Sequence, residues 1–224
     1  MFVGHYGLSF AVKALDKDQR IPLWLLFLAV QFVDVLWAIF VLLGIEKVRI
    51  VPGITAASPL DLYYMPYTHS LIGALGWSLL AFLLCQLFPG LRGGRTGWIV
   101  AAAVFSHWVL DLLVHRPDLT LYSSVFRMGF GLWNYRLLSF ILEILVLFGG
   151  AALYARTVPR KGKVIIFVAA LAVIQFVATF AFPPPPSDRN EAVTALFFYF
   201  LLALIAAWVE RGQRTSKAAG MGLG

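Results

Sequence analysis

The sequence predicts an all-α fold: a polytopic membrane bundle of about six transmembrane helices with a short N-terminal half-span helix. Of its 224 residues, 61% are hydrophobic, and the mean hydropathy is +0.84. The apolar residues gather into blocks of about twenty, the length that crosses the hydrocarbon core of a bilayer, instead of forming amphipathic stripes. The net charge of +7 comes mostly from Lys and Arg in short loops beside those blocks, where they read as topology signals and not as a nucleic-acid footprint.

Taken along the chain, MFVGHYGLSFAVKAL lacks a basic n-region and a small-residue cleavage site, so it is expected to be retained. Residues 4–15 are expected to form a short helix rising from the face where the chain begins. Such a half-span is tolerated only if its free end is packed in protein, and Gly4 and Gly7 permit that close approach. The spans are expected at 22–44, 66–88, 96–115, 134–154, 164–182 and 191–209. An even number places both termini on one side. That side carries twelve of the 18 Lys and Arg (Lys13, Lys17, Arg20, Arg92, Arg95, Arg156, Arg160, Lys161, Lys163, Arg211, Arg214 and Lys217), which makes it cytoplasmic. The outer face then holds the connections 45–65 and 116–133, together with PPPPSDR at 183–189, where consecutive prolines favour a rigid extended link. Residues 1–210 read as one domain, with 211–224 as a flexible basic cytoplasmic tail. Cys85 has no partner in the chain, so neither a disulfide nor a cysteine-rich metal site is available, and it reads as packing.

All four histidines, with Asp34, Asp111 and Glu143, lie in or beside apolar blocks, where an ionisable side chain costs roughly 2.5–3.5 kcal/mol. Counting helical rise from the cytoplasmic edge puts Asp34 at roughly 21 Å, His107 at roughly 18 Å, Asp111 at roughly 24 Å and Glu143 at roughly 19 Å. His5 reaches roughly 18 Å on the half-span, and His69 stands near the outer edge at roughly 30 Å, close enough to dip into the same layer. In SHWVLDLLVHRPD, residues 106–118, the four-residue spacing sets His107, Asp111 and His115 along one stripe of a helix. Imidazole nitrogens and carboxylate oxygens suit zinc and similar divalent ions. His5, Asp34, His69, His107, Asp111 and Glu143 therefore converge as candidates for a metal site, and a buried His–Asp hydrogen-bond network is the alternative. His115, higher on the stripe, reads either as an interfacial residue or as a proton shuttle. Glu143 reads as a direct ligand, as a proton shuttle, as support for a ligating histidine, or as an anchor for Arg136.

At these residues the chain resembles the YdjM-like family of inner-membrane metal-dependent hydrolases. The matching pieces are GHYG (4–7), QFVDVLW (31–37), YTHSL (67–71), SHWVLDLLVHRPD (106–118), and GLWN (131–134) followed by Glu143. The resemblance covers residues 1–155, leaving 156–210 as two supporting spans. That family is in turn distantly similar to zinc-dependent phospholipases C and single-strand nucleases. The resemblance implies His5, Asp34, His69, His107 and Asp111 as metal ligands, with Asp34 as a carboxylate bridging two ions. This chain lacks the further His-plus-carboxylate helix pair of the soluble enzymes, which implies one or two zinc ions and not three. It also implies a bacterial-type inner membrane.

The expectation is a membrane-embedded zinc-dependent hydrolase that takes a lipid or lipid-linked phosphoester from the outer leaflet. Arg116, Arg127 and Arg136 are expected to hold phosphate, with Trp133 and Asn134 at the mouth. A metal-ion or proton-coupled transporter is the main rival, since buried Asp, Glu and His also mark ion pathways. A membrane scaffold with a structural metal is a third reading. Against transport, the cytoplasmic ends of the spans, LLCQLF and GGAALYA, carry no carboxylate or histidine to continue a path.

Overall fold

The structure, a computed structural model, describes residues 1–16, 20–122 and 126–221, with side chains as far as Arg211. Lys17, Arg214 and Lys217 of the basic census, and residues 222–224 of the expected tail, lie outside that description. The fold is mostly helical. Helix α1 (Val3–Leu15) is the half-span, with its His5, Ser9 and Lys13 face fully buried. The first expected span is two helices, α2 (Leu23–Val30) and α3 (Phe32–Leu42), bent by 55° at Gln31. No Pro or Gly marks this break. Gln31 leaves helical geometry (φ −103°, ψ 5°), and its side-chain amide donates to Phe2 O at 3.2 Å. The break opens a new helix whose first turn carries Asp34, where the helix dipole favours a carboxylate.

Helix α3 stops in a Schellman cap: Gly44 has φ +73°, Gly44 N donates to Val41 O and Ile45 N to Phe40 O. Beyond it, the expected plain connection 45–65 contains an antiparallel hairpin, β1 (Lys47–Ile50) with β2 (Leu60–Tyr64), pairing Arg49 with Asp61. Helix α4 (Leu71–Leu87) has 17 residues. Its rise of about 25 Å falls short of a hydrocarbon core about 30 Å thick. It begins five residues later than expected, so His69 sits in the turn before it. Next come α5 (Gly94–Val114), a small hairpin of β3 (Leu119–Thr120) and β4 (Arg127–Met128), a 3₁₀ turn at Leu132–Asn134, α6 (Arg136–Ala155), α7 (Lys161–Phe180) and α8 (Asp188–Met221). Among the described residues, four helices are long and apolar enough to cross a membrane: α5, α6, α7 and the Asp188–Arg211 part of α8. The bent α2–α3 pair makes a fifth if it counts as one span. The backbone of α8 stays helical to Met221, through most of the segment expected to be a flexible tail.

The half-span is fastened at both ends and pressed against α6 between them. At its start, Glu143 Oε2 accepts the backbone N–H groups of Phe2 (2.8 Å) and Gly4 (3.2 Å), donors that a helix leaves unpaired. At its far end, Lys13 Nζ is buried between Ile21 O (2.6 Å), Glu210 Oε1 (2.9 Å) and Asp16 Oδ2 (3.6 Å). Glu210 Oε2 also accepts Leu23 N at 3.0 Å. Lys13, expected as a loop-type topology signal, instead ties α1 to α2 and α8. In the middle, a Cβ on Gly150 would stand 1.8 Å from Gly7 O, and one on Gly7 would stand 2.2 Å from Val146 O. Tyr6 stacks on Phe27 of α2 with ring centroids 4.5 Å apart, and Phe10 meets the same ring edge to face at 5.3 Å.

The two adjacent glycines of α6 make a paired test, because a Cβ on Gly149 would meet nothing within 4 Å. Gly150→Ala is expected to destabilise by about 1–3 kcal/mol or more through backbone displacement. Gly149→Ala is expected to stabilise by about 0.5–1 kcal/mol through lower unfolded-chain entropy. Unfolding of the detergent-solubilised protein, followed by circular dichroism, measures both.

Candidate metal centre

Four separate elements bring the polar residues together. His5 comes from α1, Asp34 from the first turn of α3, His69 from the turn preceding α4, and His107 and Asp111 from α5, with His115 capping that helix. His5, His107 and Asp111 offer ligand atoms that all lie within 4.8 Å of one another, and so do Asp34, His69 and His107. These are the five residues expected as ligands. The two groups share His107.

Asp111 is the hub. Its oxygens lie 3.2 Å from His5 Nε2, 3.7 Å from His69 Nε2, 3.1 Å from His107 Nε2 and 3.4 Å from His115 Nε2. Asp34, to which the resemblance assigns the bridge, touches two imidazoles: His69 at 3.2 Å and His107 at 3.4 Å. The amine of Met1 stands 2.6 Å from Asp111 Oδ1. His115, separated from the ligands by the depth count, belongs to the same cluster because residues four apart on a helix are neighbours and its Nε2 stands 3.4 Å from Asp111.

The outer nitrogens of the rings explain how the cluster is oriented. His107 Nδ1 lies 2.7 Å from Val30 O, a carbonyl in the last turn of α2 that helix geometry leaves without an intrahelical partner. His115 Nδ1 lies 2.9 Å from Asp118 Oδ1. His69 Nδ1 lies 2.8 Å from Thr68 Oγ1, whose proton goes to Glu46 Oε2 at 2.6 Å. Each of these oxygens can only accept, so each Nδ1 carries a proton and each ring turns its Nε2 inward. In a neutral ring that Nε2 presents a lone pair, which a buried carboxylate oxygen at these distances repels unless a cation lies between them; in a protonated ring it is a donor. Despite its closeness to Asp111, His107 Nε2 makes no hydrogen bond of good geometry, and neither nitrogen of His5 does. That donor set, oriented from outside, fits a divalent metal ion.

The remaining expected residues divide. Trp133 packs over His115 with ring centroids 4.2 Å apart. With Arg136 and Glu143 it lines a cavity of about 830 Å³ that reaches His69, Asp111 and His115. Arg136 Nε also donates to Ala56 O at 2.6 Å. Glu143 touches none of the histidines. Its carboxylate holds α1, and so positions His5, and it does not anchor Arg136. Arg116 is engaged by Asp61 and by Asp118 Oδ2, and Arg127 donates to Tyr63 O at 3.4 Å. Neither arginine lines the cavity, nor does Asn134, which is exposed.

Four residues of the site escaped the sequence reading. Asp118 had a signal, lying three residues beyond His115 in HRPD, and so did Thr68, adjacent to His69. Glu46, which also accepts the backbone N–H groups of Tyr67 and Thr68, and Tyr199, which donates to Asp34 Oδ2 at 2.9 Å, had none. Through Tyr199 the last helix, expected only to support, enters the site.

Asp118→Ala and Thr68→Val remove the outer partners of His115 and His69 and leave every inward-facing ligand atom in place. Each is expected to weaken divalent-metal affinity by roughly 10–100-fold, measured by competition with a chromophoric chelator. Set against family models, curated proteins and solved structures, the chain matches none, so the reading of this centre rests on its geometry.

Proposed function

We propose that this protein is a zinc-dependent hydrolase of the YdjM-like inner-membrane kind, cleaving a lipid or lipid-linked phosphoester taken from the outer leaflet. In this reading the bent α2–α3 pair and α4 also cross, giving six spans with both termini in the cytoplasm. The observation that carries the reading is the set of three imidazoles whose Nδ1 protons are all spent on outer acceptors, leaving their Nε2 atoms aimed at Asp111 and Asp34 beside an open cavity. His5, His69, His107, Asp34 and Asp111 would hold one or two ions.

Zinc supplies a Lewis acid there, bringing the pKa of a water toward neutrality and polarising the phosphoryl oxygen. The chain's own residues do the rest. Arg136, the rim arginine that lines the cavity, pairs with the phosphoryl oxygens. His115, with Nδ1 fixed by Asp118, accepts the proton of the attacking water through Nε2. Oxygen from water bonds to phosphorus, the ester P–O bond breaks, and the proton passes to the departing alkoxide. Glu143 acts indirectly, by holding α1 and therefore His5. Trp133 shields His115 from bulk water.

One observation favours transport as a second reading. His5, Ser9 and Lys13 form a fully buried stripe along α1, which leads from the cluster to Asp16 and Glu210 at the other end of the helix. The span ends read as empty of carboxylates are therefore not empty once α1 and α8 are packed together.

Zinc-loaded protein is expected to release headgroup or phosphate from one or more members of a phospholipid and lipid-phosphate panel, and to stop when the metal is chelated. His107→Ala and Asp111→Ala should lose both metal and turnover, and Arg136→Ala should raise KM roughly tenfold, the loss of one charge-assisted hydrogen bond. The proposal fails if purified protein binds no divalent metal and the His107 and Asp111 variants are unchanged in stability. Metal-dependent uptake into liposomes without turnover would establish the transport reading in its place.

A further inference from the structure

A second, narrower groove runs between α7 and α8. It has a volume of about 180 Å³, and every wall residue except Lys163 is apolar. Ile174 lines both this groove and the cavity above the His/Asp cluster, so the two spaces meet at that residue. The helices diverge along this seam: α7 packs on α6 and barely meets α8, while α8 packs on α2 and α3. At the far end Lys163 Nζ lies over the Trp208 ring, 3.9 Å from its centroid, and closes the groove with a cation–π contact.

The dimensions restrict what fits. Tyr199 touches Asp34 of the cluster, and Trp208 lies nine residues further along α8, a rise of about 14 Å. That is close to half of a hydrocarbon core about 30 Å thick, the depth of one leaflet's chains. A helix of that length, about 10 Å across, displaces on the order of 1,000 Å³. At about 180 Å³ the groove does not admit a helix between its walls; a helix from a partner or a second copy would lie across its mouth. A slender apolar chain fits both its width and its chemistry.

We propose that the α7–α8 seam holds a hydrocarbon chain of the substrate, with the polar head reaching the His/Asp cluster past Ile174. This rests on the lipid-hydrolase reading for what the head undergoes, but seating of the chain is measurable without turnover. The seam makes α7 and α8, the two supporting spans of the sequence reading, the chain-selecting wall of the site.

The experiment uses full-length protein in detergent micelles with a phosphatidylethanolamine carrying a photoreactive diazirine midway along one acyl chain. Ala170 lines the seam and is exposed, so Ala170→Trp fills the groove without loading the core. Ala169→Trp adds the same bulk at an exposed neighbour outside it. Label is expected on residues 164–174 and 202–208, reduced at least fivefold by Ala170→Trp and unchanged by Ala169→Trp. Label spread over the other apolar helix faces, or indifferent to Ala170→Trp, overturns the seam. In parallel, turnover of the best panel lipid with palmitoyl chains should fall in Ala170→Trp, while its dibutanoyl analogue is cleaved as before. Equal loss, or no loss, for both chain lengths also overturns the proposal. Seam labelling with no cleavage of either substrate by the unaltered protein retains the seam and rejects the hydrolase.

Discussion

The structure depends on one electrostatic constraint: buried imidazole nitrogens face buried carboxylates. Asp111 stands within 3.7 Å of all four histidines, and it is itself only 2% exposed. In such a medium the arrangement is costly unless positive charge sits among these groups. The chain spends much of its architecture on meeting that condition. The α2–α3 break turns Val30 O toward His107. The Thr68–Glu46 pair fixes His69, and Asp118 fixes His115. Removing any of these would leave a ring free to rotate its lone pair away from the cluster.

Helix α1 is the other expensive element. A helix of 13 residues cannot cross a bilayer, and its free ends would carry unpaired backbone groups into an apolar environment. Glu143 answers this at one end and the Lys13–Glu210 pair at the other, while Gly7 and Gly150 let the backbones of α1 and α6 meet. The same fastening delivers His5, whose ring stacks on His107 at 4.0 Å and 8°. Glu143 therefore contributes to the site through the position of α1, which explains why its depth matched the cluster although its carboxylate touches no imidazole.

The legible part of the site was the part encoded by depth. His5, Asp34, His107 and Asp111 share one layer because each lies a countable number of residues along a helix, and rise per residue converts that count into height; His69, counted higher, joins them from the turn before α4. The count separated His115 because it compared backbone heights, whereas one helical turn of about 5.4 Å is within the reach of two side chains on the same face. Arg116 and Arg127 looked like phosphate ligands because loop arginines near a site resemble one another in sequence. Their partners, Asp61 and Asp118 for Arg116 and Tyr63 O for Arg127, come from hairpins that were read as plain connections.

By itself the sequence determined that this is an apolar helical chain and that its few buried ionisable residues lie at matching heights. Both properties follow from spacing along a single strand of polymer. Only the tertiary structure decided that the first span breaks at Gln31, that Asp111 is the hub, that Tyr199 reaches Asp34 across 165 positions, and that α7 and α8 part along a groove. Those features depend on distances between elements remote in the chain, which hydropathy and periodicity do not encode. Height is a local property of a helix; the azimuth that makes two side chains face each other is settled by packing.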